Sequence, residues 1–355
     1  MTLAELNRRQ FLLAGAGALA AARFADAQTA PKSVVAIARV RNDRIEAAVE
    51  EAVDLLGGIG RVTKGKGRIL LKPNLVFPQR EATTKPEVVR ALARLMKKAG
   101  KDVSIGEGSA AAGDFNVKGK EIFRTRRRDI LDPMQQHVFD ALRYTDLAKD
   151  LRVPLVNLHS GDLVDVKVPG AFVFETLTIH EALTETDLLC SVPMMKTHQL
   201  ATVTLGMKNL VGVFPGTVYQ SVRGRMHDEA AKVEPTGVAA AVVDMVRANK
   251  LGLVVVDGST AMEGDGPSDG PLVKMDVIVA GTNPVATDMV AAAVMGFEPR
   301  EVPVFEWAGK AGMRPTSLDE IEVRGAAVET VRRSFVRPRV RAWNAIRPFW
   351  AAREI

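Results

Sequence analysis

Arg68-Ile-Leu-Leu-Lys72-Pro73-Asn74, then Thr84 to Gly100, then Asp102-Val-Ser-Ile105-Gly106-Glu107-Gly108, is the stretch whose reading decides the fold. The first apolar run is of strand length. Behind it Val88, Leu92 and Leu95 recur at helical spacing, Thr84 with Glu87 predicts a capping box, and Gly100 predicts the helix end. Val103 to Ile105 is a second strand. Upstream, Ser33 to Val40 predicts a strand, and Ile45, Ala48, Val49, Ala52, Val53 and Leu56 predict a helix closing at Gly57-Gly58. Strand, helix, strand, helix, strand points to a parallel α/β sheet. Downstream the alternation returns: strands over Asp187–Val192, Leu253–Asp257 and Val277–Ala280, a helix near Val238–Ala248, and a helix capped by Asn283 with Pro284 at its start. The expected fold is α/β, a mixed, largely parallel sheet with helices on both faces. An irregular middle insertion spans about 110–186 and holds Arg124, Arg126, Arg127 and Arg128.

Charge separates the ends from the body. The 355 residues carry 48 Lys+Arg against 42 Asp+Glu, a net +6. Residues 331–355 hold seven arginines and one acid, and residues 1–27 contribute +1, so residues 28–330 carry −1. Nucleic acid is therefore not the expected partner. Residues 1–27 have a twin-arginine layout: Arg8-Arg9, an uncharged apolar block too short to span a bilayer, and Ala25-Asp26-Ala27 as a cleavage triplet. This predicts export through the twin-arginine translocation machinery to the periplasm, with cleavage after Ala27. The 331–355 tail interleaves Phe335, Trp343, Phe349 and Trp350 with its arginines. It suits an anionic membrane surface or an acidic partner, or packing over the body through its aromatics. The single cysteine, Cys190, excludes an intramolecular disulfide and a cysteine-ligated iron-sulfur cluster.

In open α/β sheets ligands sit beyond the carboxyl ends of strands. Four such ends carry polar groups: Lys72-Pro73-Asn74, Gly106-Glu107-Gly108, Lys196-Thr197-His198 and Asp257-Gly258. The stretch Gly206-Met-Lys208-Asn209-Leu-Val-Gly212 adds a cation and an amide between glycines that permit close backbone approach. The expected ligand is a small anion, a carboxylate or phosphate. Lys72, Asn74, Glu107, Asn209, His227 and Asp257 are the candidate binding residues. Lys196 and Lys208 polarise the anion, and His198 transfers a proton. Glu263, Asp265 and Asp288 are the residues that a divalent metal would use, although no His-Glu-x-x-His or EF-hand pattern accompanies them. Neither a dinucleotide fingerprint nor a Gly-x-Ser-x-Gly nucleophile elbow occurs. The competing class is a non-catalytic binding or cofactor-assembly factor that docks on a membrane or a partner protein.

These motifs, with Leu75-Val76 after Asn74, Met262-Glu-Gly-Asp-Gly-Pro267 and Asn283-Pro-Val-Ala-Thr-Asp288, resemble the bacterial and archaeal family grouped as domain of unknown function 362. The resemblance spans roughly residues 34–300. It implies little chemistry, because the family is defined by sequence. Many similar members carry ferredoxin-type cysteine clusters and are associated with redox settings; this chain departs from them in lacking those cysteines.

Overall fold

The computed structural model describes residues 31–355, and the expected export signal lies outside the described residues. Numbering only the strands of the main sheet, β1 is Ser33–Arg39, β2 Arg68–Pro73, β3 Asp102–Glu107, β4 Leu155–Asn157, β5 Leu188–Val192, β6 Met194–His198, β7 Thr202–Thr204, β8 Leu251–Met262, β9 Leu272–Val273, β10 Val277–Gly281 and β11 Ile321–Gly325. Eight of them follow the order β11-β1-β10-β8-β5-β2-β3-β4, while β6 and β9 branch from β8 and β7 pairs only with β6. Along that path only β10 runs against its neighbours. The sheet is thus mixed and largely parallel.

Its strands are apolar on both faces because both faces are covered. On β2, Ile69 and Leu71 meet one core with Val88 and Leu92 of the helix Pro86–Lys98 (α2) and Val49 of the helix Ile45–Leu55 (α1). Leu70, pointing the other way, joins a second core with Val242, Met289 and Phe305, from the helices Ala239–Ala248, Pro284–Val294 and Pro303–Lys310. Asn283 caps the second of these, its Oδ1 accepting from Val285 N at 3.0 Å and Ala286 N at 3.1 Å.

One local expectation is refined and two are corrected. The insertion is partly built into the fold: its strand β4 extends the sheet beside β3, and its helices Arg128–Ala141 and Tyr144–Leu151 pack in the first core. Asp257 does not end a strand, since β8 continues to Met262 to pair with β6 and β9. The capping box does not form: Thr84 Oγ1 donates to Val192 O at 2.6 Å and accepts from Asn74 N at 2.9 Å, tying two strand ends together. Asp257 Oδ2 instead accepts from Lys85 N at 3.0 Å, so α2 is capped from across the sheet. Tertiary packing has overridden the local signal.

The tail lies on the body as a strap. Arg337 pairs with Glu301, Arg339 with Asp265 and Arg347 with Asp228. Phe335, Trp343 and Ile346 are buried beneath it. The chain ends beside the insertion, where Arg124 N donates to Arg353 O and Ile355 N to Arg124 O, both at 3.0 Å. No described helix is long and apolar enough to cross a membrane.

Candidate functional site

A cavity of about 610 Å³ opens at the strand ends. Its walls are mostly apolar: Val76 and Phe77 beyond β2, Ala110 and Ala112 beyond β3, Val211 and Val222, and Trp350 from the strap. Lys208, His198, His227 and Lys120 bring polarity to them, together with Gln79, Ser268 and the carboxylate of Asp269. Through Lys208, Val76, Ala110, Val211 and Val222, the cavity shares its lining with a smaller polar chamber of about 50 Å³, bounded by Lys72, Asn74, Glu107, Asn209, Gly212 and Arg223.

The chamber holds one closed pair and two open charges. Lys72 Nζ lies 2.8 Å from Glu107 Oε1 and donates to Pro73 O at 2.9 Å and Asn209 Oδ1 at 3.0 Å, so its three protons are used. Glu107 also accepts from Gly108 N and Leu75 N. The pair is crowded against Gly212, where a Cβ would meet Glu107 Oε1 at 2.1 Å and Lys72 Nζ at 2.7 Å, so this approach requires glycine. Arg223 and Lys208 have no carboxylate partner among the described residues. Arg223 is fully buried and donates only to the carbonyls of Gly108, Ser109 and Gly212, with Nε unpartnered. Burial lowers its pKa to about 10. Lys208 Nζ makes no hydrogen bond or ion pair with any described residue. Burial, with the charges of Lys72 and Arg223 added, lowers its pKa to about 7.

Sequence reasoning missed Arg223. Gln220, Val222 and Arg223 have φ of 67°, 50° and 56°. A β-branched residue such as Val222 rarely adopts this left-handed region, and strain of this kind gathers at functional sites. The turn places Val222 in the cavity wall and Arg223 in the chamber. No local motif announces it.

The two histidines carry opposite tautomers. His198 Nδ1 accepts from Leu200 N at 3.0 Å, so in the neutral ring the proton sits on Nε2. His227 Nδ1 faces Gly237 O at 2.7 Å, and since a carbonyl only accepts, Nδ1 holds the proton and Nε2 a lone pair. Burial keeps both neutral, aided by Lys208, moving His198 well below its usual range and His227 to about 3. One wall therefore carries an N–H donor and a lone-pair acceptor. The strap seats both rings: Trp343 stacks on His227 at 4.4 Å between centroids, and Trp350 stands edge-on to His198 at 6.0 Å.

The remaining candidates lie elsewhere. Lys196 is fully buried outside both linings, with Nζ donating to Ala82 O at 2.7 Å; burial lowers its pKa to about 7. Asp257 caps α2, as described. The three carboxylates named for a metal are not gathered. Asp288 accepts from Gly206 N at 2.7 Å and Met207 N at 2.8 Å, holding the turn that presents Lys208, and burial raises its pKa to about 7. Glu263 accepts from Val336 N at 3.0 Å, and Asp265 from Arg339 N at 3.0 Å, so both hold the strap. Among the described residues no three His, Cys, Asp or Glu side chains are grouped to hold a metal ion.

Residues 69–293 match the family described as a domain of unknown function, number 362. The chain belongs to this family. The matched stretch contains the chamber, both histidines and Asp288, and ends before the strap. A thylakoid-associated protein of Synechocystis is 28% identical over 276 residues, covering 77% of each chain. Among solved structures, the lactate racemase apoprotein from Thermoanaerobacterium thermosaccharolyticum aligns with 75% of this chain and 57% of its own at a TM-score of 0.45 and 14% identity. A protein from Thermotoga maritima aligns with 61% and 50% at a TM-score of 0.36 and 12% identity. The chain thus spans about half the length of the solved structures it matches.

Proposed function

We propose that this family member binds a small organic anion, a carboxylate or phosphate with an apolar body, and transfers protons on it. The observation that carries the reading is a pair of cations without a carboxylate partner, buried Arg223 and half-buried Lys208, in a polar chamber at the base of an apolar-walled cavity. A buried charge without a partner is costly, and an anion bound beside it removes that cost. The apolar walls suit the rest of the ligand.

Lys208 and Arg223 hold the anionic group. Lys72 and Glu107 form a closed pair that shapes the chamber, and Asn209 locks it to the sheet. His227 Nε2 takes a proton from the ligand and returns it from the same nitrogen, while the Nε2–H of neutral His198 donates a hydrogen bond that orients the ligand, so the exchange balances without a co-reactant. Tight anion binding favours the charged form of Lys208, which strengthens the field at the ligand.

The twin-arginine layout supports placing this activity in the periplasm, on a mature chain beginning at Gln28. Replacing Arg8 and Arg9 with lysine is expected to retain the protein in the cytoplasmic fraction; unchanged periplasmic recovery sinks the export reading.

The test of function is calorimetric titration of the mature chain with 4-phenylbutanoate and 3-phenylpropyl phosphate, beside the uncharged alcohol 4-phenylbutanol. Binding of the anions but not the alcohol supports the reading, and equal binding of all three overturns it. Once a turned-over substrate is found, His227→Ala should abolish turnover and leave affinity within a few fold. Equal loss of both would reduce the protein to a binder.

A further inference from the structure

The hydrogen-bond network in the chamber fixes the direction of every amide and leaves one acceptor unused. Ser191 Oγ donates to Gly206 O at 2.9 Å, so it can only accept at 3.0 Å from Asn209 Nδ2. Asn209 Nδ2 also donates to Lys72 O at 3.0 Å. Asn209 Oδ1 is therefore the acceptor, and it receives Lys72 Nζ at 3.0 Å and Asn74 Nδ2 at 3.1 Å. Flipping Asn74 would set two carbonyl oxygens face to face, so its Oδ1 is the free atom. Asn74 is 8% exposed, and this oxygen has no partner among the described residues. In the same chamber Arg223 Nε, on a residue 1% exposed, is an unused donor, and Lys208, half-buried, adds an Nζ that bonds to no described residue.

Two open cations ask for negative charge, and one open acceptor asks for a donor. A plain carboxylate satisfies only the cations. An ammonium group would satisfy Asn74 but stand beside two positive charges. We infer, resting on the anion-binding reading above, that the ligand's head group is an anion carrying its own O–H: a carboxylate with a hydroxyl on the adjacent carbon, or a phosphate monoester that keeps one proton. The anion faces Lys208 and Arg223, the hydroxyl donates to Asn74 Oδ1, and the apolar body occupies the larger cavity. A water in the chamber can serve Asn74 but brings no charge to the two cations.

The test measures affinities of the mature chain at pH 6 for 4-phenylbutanoate, 2-hydroxy-4-phenylbutanoate, 2-amino-4-phenylbutanoate and 3-phenylpropyl phosphate by calorimetry. The hydroxy acid should bind at least about tenfold tighter than the plain acid, because the plain acid leaves a buried acceptor unmet, and the amino acid should bind weakest. Whichever of the hydroxy acid and the phosphate monoester binds tighter assigns the head group. Asn74→Ala should bring the ratio of hydroxy to plain acid to within about twofold. If the plain and hydroxy acids bind wild-type protein equally, water satisfies Asn74 and the inference falls while the anion reading stands. A preference that survives Asn74→Ala also overturns it. If none of the four binds, the anion reading itself fails and takes the inference with it.

Discussion

The chamber and the strap are both rich in cations, and the protein uses them in opposite ways. Residues 331–355 hold the chain's whole excess of positive charge. In the structure several of those arginines are matched on the surface: Arg333 to Glu263, Arg337 to Glu301, Arg339 to Asp265 and Arg347 to Asp228. The chamber belongs to a body of net −1, yet it contains Lys208 and Arg223 with no carboxylate of their own. Counting charge locates the strap; only pairing locates the site. The contrast is energetic as well. Exposed ion pairs contribute little, whereas buried unpaired charge costs stability that a ligand can return.

The largest effect on ligand binding should follow from removing an open charge. Lys208→Met is expected to weaken binding of 4-phenylbutanoate by about 2–4 kcal/mol, roughly 30- to 1000-fold, as measured by calorimetry. Its fold should not suffer. Because the folded pKa of Lys208 is lowered from 10.5 to about 7, the unfolded chain binds this proton more readily, so wild-type stability is withdrawn as pH falls from 10.5 to about 7 and changes no further below. Urea melts at pH 7 should show the variant at least as stable as wild type. A large loss of stability would mean that Lys208 is structural, and the contrast with the strap would be lost.

On stability the largest effect should come from Trp343→Ala. Trp343 is 1% exposed, donates Nε1–H to Asp228 at 2.7 Å and stacks on His227. Truncating a buried tryptophan costs about 3–5 kcal/mol, to be read in a urea melt. If the loss is under about 1 kcal/mol, the strap rests on its ion pairs and not on its aromatics. Affinity should then vary with pH by less than either substitution. Charge on Lys208 declines as pH rises through about 7, so 4-phenylbutanoate should bind about tenfold more weakly at pH 8.5 than at pH 6, with proton uptake on binding near pH 8. A pH-independent affinity would shift the anion from Lys208 to Arg223 alone.

What could be read from the sequence follows from the range of the interactions. The β2, α2 and β3 unit was legible because its apolar spacing is local. Lys72, Glu107, Lys208 and Asn209 were legible as strand-end and glycine-flanked residues, and all four line the chamber. Arg223 was not, because its partners, Gly108 and Ser109, lie more than a hundred residues away and its placement depends on a strained turn. Thr84 and Asp257 were misassigned for the same reason: each bonds across the sheet in preference to its own segment. Glu263 and Asp265 looked like metal ligands because carboxylate spacing does not reveal which cation they meet; here it is an arginine-bearing strap.

The smallest expected effect is the sharpest check on that distinction. Arg339 pairs with Asp265, but its side chain is 75% exposed and that of Asp265 25%. Water screens such a pair, and holding two side chains in one geometry costs entropy, so the net contribution is about 0–1 kcal/mol. Asp265 Oδ1 also accepts from the backbone N–H of Arg339, a bond that Arg339→Ala leaves in place. Arg339→Ala should therefore shift a urea melt by less than about 1 kcal/mol, and raising salt to 0.5 M, where the screening length is about 4 Å, should shift wild type by no more. Asp265→Ala removes both bonds and should cost more than Arg339→Ala. If the two variants are equal and both exceed about 2 kcal/mol, the strap is held by charge, its hold on the two histidines becomes salt-dependent, and the cations of the two regions cease to differ in kind.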